Sequence, residues 1–258
     1  MTRPTLDECR ARLVACPVTE SAALLAEFDA DPRSGVRSLA AAHRARAARA
    51  DAESGRLRAL AVQQVSLHEL GFAVVAGVDE VGRGALAGPV TAAAVVLDVD
   101  VLVTGLDDSK RLSPAKREQV AGEVATRATA WCVAHADAGE IDAVGIGAAT
   151  RLAMRRAVAG LDRAVDHVLV DGNDVRIGFP ATAVVGGDAS CACIAAASVI
   201  AKVTRDALMV GMEQAHPGYG FAVNKGYGTG EHVEAIRRLG PSPVHRRSFA
   251  PCAQGPLF

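Results

Sequence analysis

The stretch Phe72-Ala73-Val74-Val75-Ala76-Gly77-Val78-Asp79-Glu80-Val81-Gly82-Arg83-Gly84-Ala85-Leu86-Ala87-Gly88-Pro89-Val90-Thr91-Ala92-Ala93-Ala94-Val95-Val96-Leu97 decides the fold. Two Val/Ala runs, 72–79 and 89–97, flank a turn rich in glycine, so a strand, a glycine-rich connection and a second strand are expected. Downstream, Ser113 as N-cap and Pro114 in the first turn predict a helix over 113–126. A strand at 131–136, a helix at 143–161 and short buried strands at 167–170 and 182–185 follow. A long helix over 191–214 and a last one over 231–239 complete the pattern. A strand pair followed by alternating helices and strands predicts an α/β fold, a mixed sheet flanked by helices.

Composition changes near residue 70. The earlier part is rich in Ala, Arg, Leu and Glu and predicts helices over 5–13, 21–30 and 36–70, interrupted at Asp31-Pro32-Arg33-Ser34-Gly35. It is read as a small helical N-terminal extension, residues 1–70, ahead of the α/β domain, residues 71–258, whose tail from about residue 250 is flexible. The arginines of the extension (Arg33, Arg37, Arg44, Arg46, Arg49, Arg56, Arg58) either contact phosphates or line a solvated helix face.

The chain has 258 residues, half of them hydrophobic, with 28 Lys+Arg against 29 Asp+Glu, which excludes disorder throughout and a grip on nucleic acid through overall charge. Basic residues still gather locally, at Lys225, Arg237, Arg238, Arg246 and Arg247. Neither 85–103, interrupted by Gly88, Pro89, Asp98 and Asp100, nor the short 192–203 resembles a membrane span. Six cysteines without a CxxC pair, and no signal-peptide pattern at Met1, lead to an expected cytoplasmic location with reduced thiols. Cys191 and Cys193 are expected to pack as small hydrophobes rather than bind a metal.

Carboxylates at the ends of apolar strands carry the chemistry. Asp79 and Glu80 end the first strand, Asp171 follows Val168-Leu169-Val170, and Asp188 follows the strand at 182–185. Any one such Asp alone is more often a turn or helix cap than a metal ligand, and Asp98, Asp100, Asp107 and Asp162 are read as such caps. If the strands are neighbours, the four meet at one sheet edge, and their repulsion demands a cation. Oxygen-only ligands select Mg²⁺ or Mn²⁺. Two such ions about 4 Å apart activate a water and stabilise the leaving oxygen of a phosphodiester. Gly82, Gly84 and Gly88 let backbone amides approach a phosphate, with Arg83 beside them. No GxGxxG or GK[ST] motif is present, which argues against a nucleotide-binding phosphotransferase.

Val78 to Val90, in full VDEVGRGALAGPV, resembles the signature of the ribonuclease HII family, the type 2 ribonucleases H. Further segments are similar in the family's order: Gly105-Leu106-Asp107-Asp108-Ser109-Lys110-Arg111-Leu112-Ser113, Leu169-Val170-Asp171-Gly172, residues 195–206, residues 219–232 and His245-Arg246-Arg247-Ser248-Phe249. The resemblance implies a ribonuclease H-like fold with Asp79, Glu80, Asp171 and Asp188 as catalytic, metal-binding acids for Mn²⁺ or Mg²⁺, with Asp206 the rival for the fourth place. It implies an endoribonuclease that cuts the RNA strand of RNA/DNA hybrids and incises 5′ of single ribonucleotides in duplex DNA, acting as a monomer. A hybrid-binding protein without activity is the rival, disfavoured because all the acids are present.

Carried over position by position, the backbone of Gly82, Arg83 and Gly84 would read the ribose 2′-OH and Tyr227 would stack on the next sugar. Lys110, Ser198, Lys202 and Lys225 would contact phosphates. The family carries Lys-Gly-Asp where this chain has Gly186-Gly187-Asp188, which removes one positive charge there. At the C-terminus, Gln254, Leu257 and Phe258 resemble the peptide by which bacterial replication enzymes bind the sliding clamp; the alternative is a tail folded back on the domain.

Overall fold

The computed structural model describes residues 3–17 and 21–253. The chain forms two compact units, one ending at Arg56 and the other beginning at Leu57. In the first, α1 (Leu6–Ala15) opens with a capping box in which Thr5 and Glu8 satisfy each other's backbone amides. With α2 (Ser21–Asp29) and the start of α3 (Ser34–Glu69), it buries Cys9, Leu13, Leu25, Phe28 and Val36. Arg33 is held by Asp31 and Arg44 by Asp29.

The second unit continues α3 and then runs β1 (Val75–Val81), β2 (Val90–Val96), α4 (Pro114–Arg127), β3 (Ala130–Ala136), α5 (Ala138–Val144), α6 (Ile146–Ala159), β4 (His167–Asp171) and β5 (Ala181–Val184). It ends with α7 (Gly187–Ser190), α8 (Ala192–Ala215), α9 (Phe221–Asn224), α10 (Gly230–Leu239) and α11 (Ala250–Ala253). The single helix expected over 143–161 is two: Gly145, at φ +78°, ends α5 and starts α6, a backbone state that a periodicity count does not detect.

The sheet has the order β3-β2-β1-β4-β5, and it is mixed as expected. β1 runs antiparallel to β2, and parallel to β4, which is parallel to β5. Alternation along β1 sends Ala76 and Val78 to one face, where they pack with Val168, Val170 and the Ala153, Met154 and Ala157 side of α6. The opposite face receives α8, through Ala192, Ala195, Ala196 and Val199 beside Ala93 and Val95. Small side chains let this helix approach closely. A Cβ at Gly77 would lie 2.2 Å from the Cys193 carbonyl carbon, so β1 and α8 touch backbone to backbone. No helix among the described residues is long and apolar enough to cross a membrane.

Candidate active site

The register Val78↔Val170 places Asp79 and Asp171 at the same level of two parallel neighbours. Both ends lie in the interior of the sheet's strand order rather than at a lateral edge. Asp79 shares the α8-facing side with Gly77; it is buried, and accepts hydrogen bonds from the Glu80 amide and the Ser198 hydroxyl. Ser198 is itself buried and bonded at 2.9 Å to Ser109, so it sits behind Asp79. Glu80 points to the other side and pairs with the exposed Arg83 at 3.2 Å. Asp171 accepts the Gly187 amide at 2.7 Å, and Asp188, one residue later in α7, receives the Lys110 ammonium at 2.8 Å. Gly186 caps α7 in the left-handed conformation, φ +66°.

These acids feel one another. Burial raises the Asp79 carboxyl well above the usual range, and the charges of Glu80 and Asp171 push it further. Burial also raises Glu80, against the pull of Arg83, and raises Asp171, with Asp188 adding to the effect. Among the described residues these four carboxylates form ion pairs only with Lys110 and Arg83, and their oxygens are the donor type suited to a hard divalent cation. Among the described residues, no three His, Cys, Asp or Glu side chains are already drawn together as a bound ion would hold them. Asp206 lies elsewhere on α8, in an i,i+4 pair with Lys202 at 2.8 Å. Cys191 and Cys193 are fully buried against Val75, Leu169 and Ile194.

Beyond β1 the chain enters the Gly82–Pro89 loop, and two guanidiniums hold it. Arg246 donates to the carbonyls of Gly82 (2.7 Å), Arg83 (2.8 Å) and Gly88 (3.0 Å). Arg205 donates to those of Pro89 (3.0 Å), Ala87 (3.2 Å) and Lys225 (3.0 Å). Both arginines are 0% exposed, which removes Arg246 from the surface basic cluster expected with Lys225, Arg237, Arg238 and Arg247. The reason is that carbonyls, not carboxylates, satisfy them, and local sequence carries no trace of that pairing. For Arg205 a signal existed: Ala197, Ala201, Arg205 and Met209, spaced by four, form one fully buried stripe of α8.

Tyr227 is half-buried, its ring 5.2 Å from the Arg205 guanidinium and 5.9 Å from the Lys202 ammonium. Lys225 takes φ +53°, and its ammonium turns back on the Ala222 carbonyl. Behind Tyr227, His232 Nδ1 donates to the Tyr227 carbonyl, which leaves Nε2 to accept from His245 Nε2 at 3.0 Å. His245 Nδ1 then accepts from the Ser242 amide and hydroxyl. Each neutral tautomer is required by the next bond. Burial, with the nearby His232, pushes His245 down to about 4, and burial also lowers His232.

An unfolded chain takes up these protons near the ordinary histidine pKa of about 6.5, and the folded chain does not until lower pH. This pair therefore costs stability as pH falls from about 6.5 toward 4. Thermal melts are expected to show a pH slope in that window that His245→Asn flattens; an unchanged slope would mean that the ring is protonated in the fold.

This mixed sheet with helices packed on both faces is the architecture of the ribonuclease H-like proteins. The family model for ribonuclease HII matches residues 76–252. A ribonuclease HII from Myxococcus xanthus is 45% identical over 248 residues, covering 95% of this chain and 85% of that protein. One from Moorella thermoacetica is 51% identical, covering 76% of this chain and 96% of its own. Among solved structures, ribonuclease H2 from Pyrococcus horikoshii superposes with a TM-score of 0.60 at 26% identity, covering 70% of this chain and 95% of that one. The chain belongs to the ribonuclease HII family.

Proposed function

We propose that this chain hydrolyses the RNA strand of RNA/DNA hybrids and incises duplex DNA 5′ of single embedded ribonucleotides, leaving 3′-hydroxyl and 5′-phosphate ends. The observation that carries the reading is the buried Asp79 carboxylate beside Glu80 and Asp171 on adjoining strand ends, with Asp188 next to Asp171. Asp79, Glu80, Asp171 and Asp188 would hold Mg²⁺ or Mn²⁺, whose chemistry there would be activation of water and neutralisation of charge on the leaving oxygen. The chain's own groups place the substrate. Amides at Gly82, Arg83 and Gly84 face the ribose 2′-OH, and Tyr227 stacks on the following deoxyribose, where a further hydroxyl would collide. Lys110, 77% exposed at its side chain, is free to swing from Asp188 to a phosphate. Lys202 lies beside Tyr227 for the same role, Lys225 two residues before Tyr227 shares it, and Ser198 orients Asp79 from behind.

The test is a duplex with one ribonucleotide, incubated with Mg²⁺, Mn²⁺ or chelator. A single metal-dependent cut 5′ of the ribonucleotide is expected; cleavage 3′ of it, or cleavage unaffected by chelation, rules the reading out. The proposed sliding-clamp contact through Gln254, Leu257 and Phe258 lies outside the described residues. Deleting residues 254–258 is expected to abolish clamp binding in calorimetry while leaving cleavage unchanged; undiminished affinity refutes it. The working form proposed is a monomer in the cytoplasm.

A further inference from the structure

We propose that Arg246, seconded by Arg205, is the positioning residue that aims the ribose-reading amides of the Gly82–Pro89 loop at the substrate. The inference rests on the reading just given and assigns the cause of its specificity. No peptide bond among the described residues is cis, so each N–H points opposite to the carbonyl preceding it. Arg246 draws the carbonyls of Gly82 and Arg83 inward. The amides that follow them, those of Arg83 and Gly84, therefore point away from the protein. Both residues are exposed, and neither amide donates to an acceptor among the described residues. Two adjacent outward N–H groups over inward carbonyls form a concave donor site for a hydroxyl or phosphate oxygen.

The same fork also takes the Gly88 carbonyl, so one planar guanidinium ties the beginning of the loop to its end. Arg205 completes the floor. A Cβ at Gly82 would fall 2.1 Å from its Nε, so the place a side chain would fill at position 82 belongs to this guanidinium. Neither arginine forms an ion pair among the described residues, leaving two positive charges under the loop. Lysine, with one rotating ammonium, cannot hold three carbonyls in one plane.

The full chain carrying Asp79→Asn, which leaves duplexes uncut, is compared with the same protein carrying Arg246→Lys in addition. Each is titrated with a duplex holding one ribonucleotide and with its all-DNA counterpart. The parent is expected to prefer the ribonucleotide duplex. Arg246→Lys is expected to reduce that preference at least tenfold while all-DNA affinity stays within twofold. A preference retained within twofold, or both affinities falling together, overturns the proposal. A parent without any preference overturns instead the substrate reading on which it rests. Should the lysine variant melt early, amide spectra of the parent decide: the Arg83 and Gly84 amides are expected to shift with the ribonucleotide duplex and not with all-DNA, and equal response to both overturns the assignment.

Discussion

Replacing Asp79 by Asn is expected to lower cleavage by about a thousandfold or more, while hybrid binding and the fold persist. Asparagine keeps an oxygen to accept the Glu80 amide, and it loses the charge and exchanges the second oxygen for an NH2 group. That charge is one the fold holds at a cost. Burial and two neighbouring carboxylates raise the Asp79 pKa, so its ionisation weakens folding as pH rises past its folded value. The variant is therefore expected to melt higher than the unsubstituted chain near neutral pH in chelator. Divalent cations should raise the melting temperature of the unsubstituted chain and leave the variant nearly unmoved. Calorimetric scans with and without Mg²⁺ check this independently of cleavage; an equal response of both proteins would mean that Asp79 takes no part in holding the ion.

The second large effect is expected from a methyl group. Gly77→Ala places a carbon 2.2 Å from the Cys193 carbonyl carbon and 2.4 Å from the Ile194 amide, both backbone atoms that no rotamer change can move aside. Strand β1 and helix α8 must separate, at a cost of about 3 kcal/mol or more. As α8 carries Ser198, separation also withdraws that hydroxyl from Asp79, so residual folded protein should cleave poorly. Urea titration measures the loss. A variant within about 1 kcal/mol of the unsubstituted chain would show that β1 and α8 are not in backbone contact.

Much of this arrangement was legible because it is local. Val- and Ala-rich runs mark β1 and β2, Ser113-Pro114 marks a helix start, and four acids following apolar runs mark the candidate site. What was hidden depends on partners remote in the chain. Gly145 reads as an ordinary small residue until its positive φ splits α5 from α6. Ser198 looks like a helix-surface hydroxyl until Ser109 and Asp79 close over it. Arg246 sits beside Arg247 in sequence, one wholly buried and the other exposed, and charge alone treats them alike. The bonds that distinguish them reach back more than 150 residues.

That long reach has a consequence for synthesis. All four acids and the Gly82–Pro89 loop leave the ribosome before the residue that shapes the loop, because chains are made from the N-terminus. A nascent chain, or a product of premature termination before residue 246, carries all four carboxylates without the fork that holds the Gly82 and Arg83 carbonyls. Under the proposal above, the carboxylates are therefore synthesised before the group that gives the loop its selectivity.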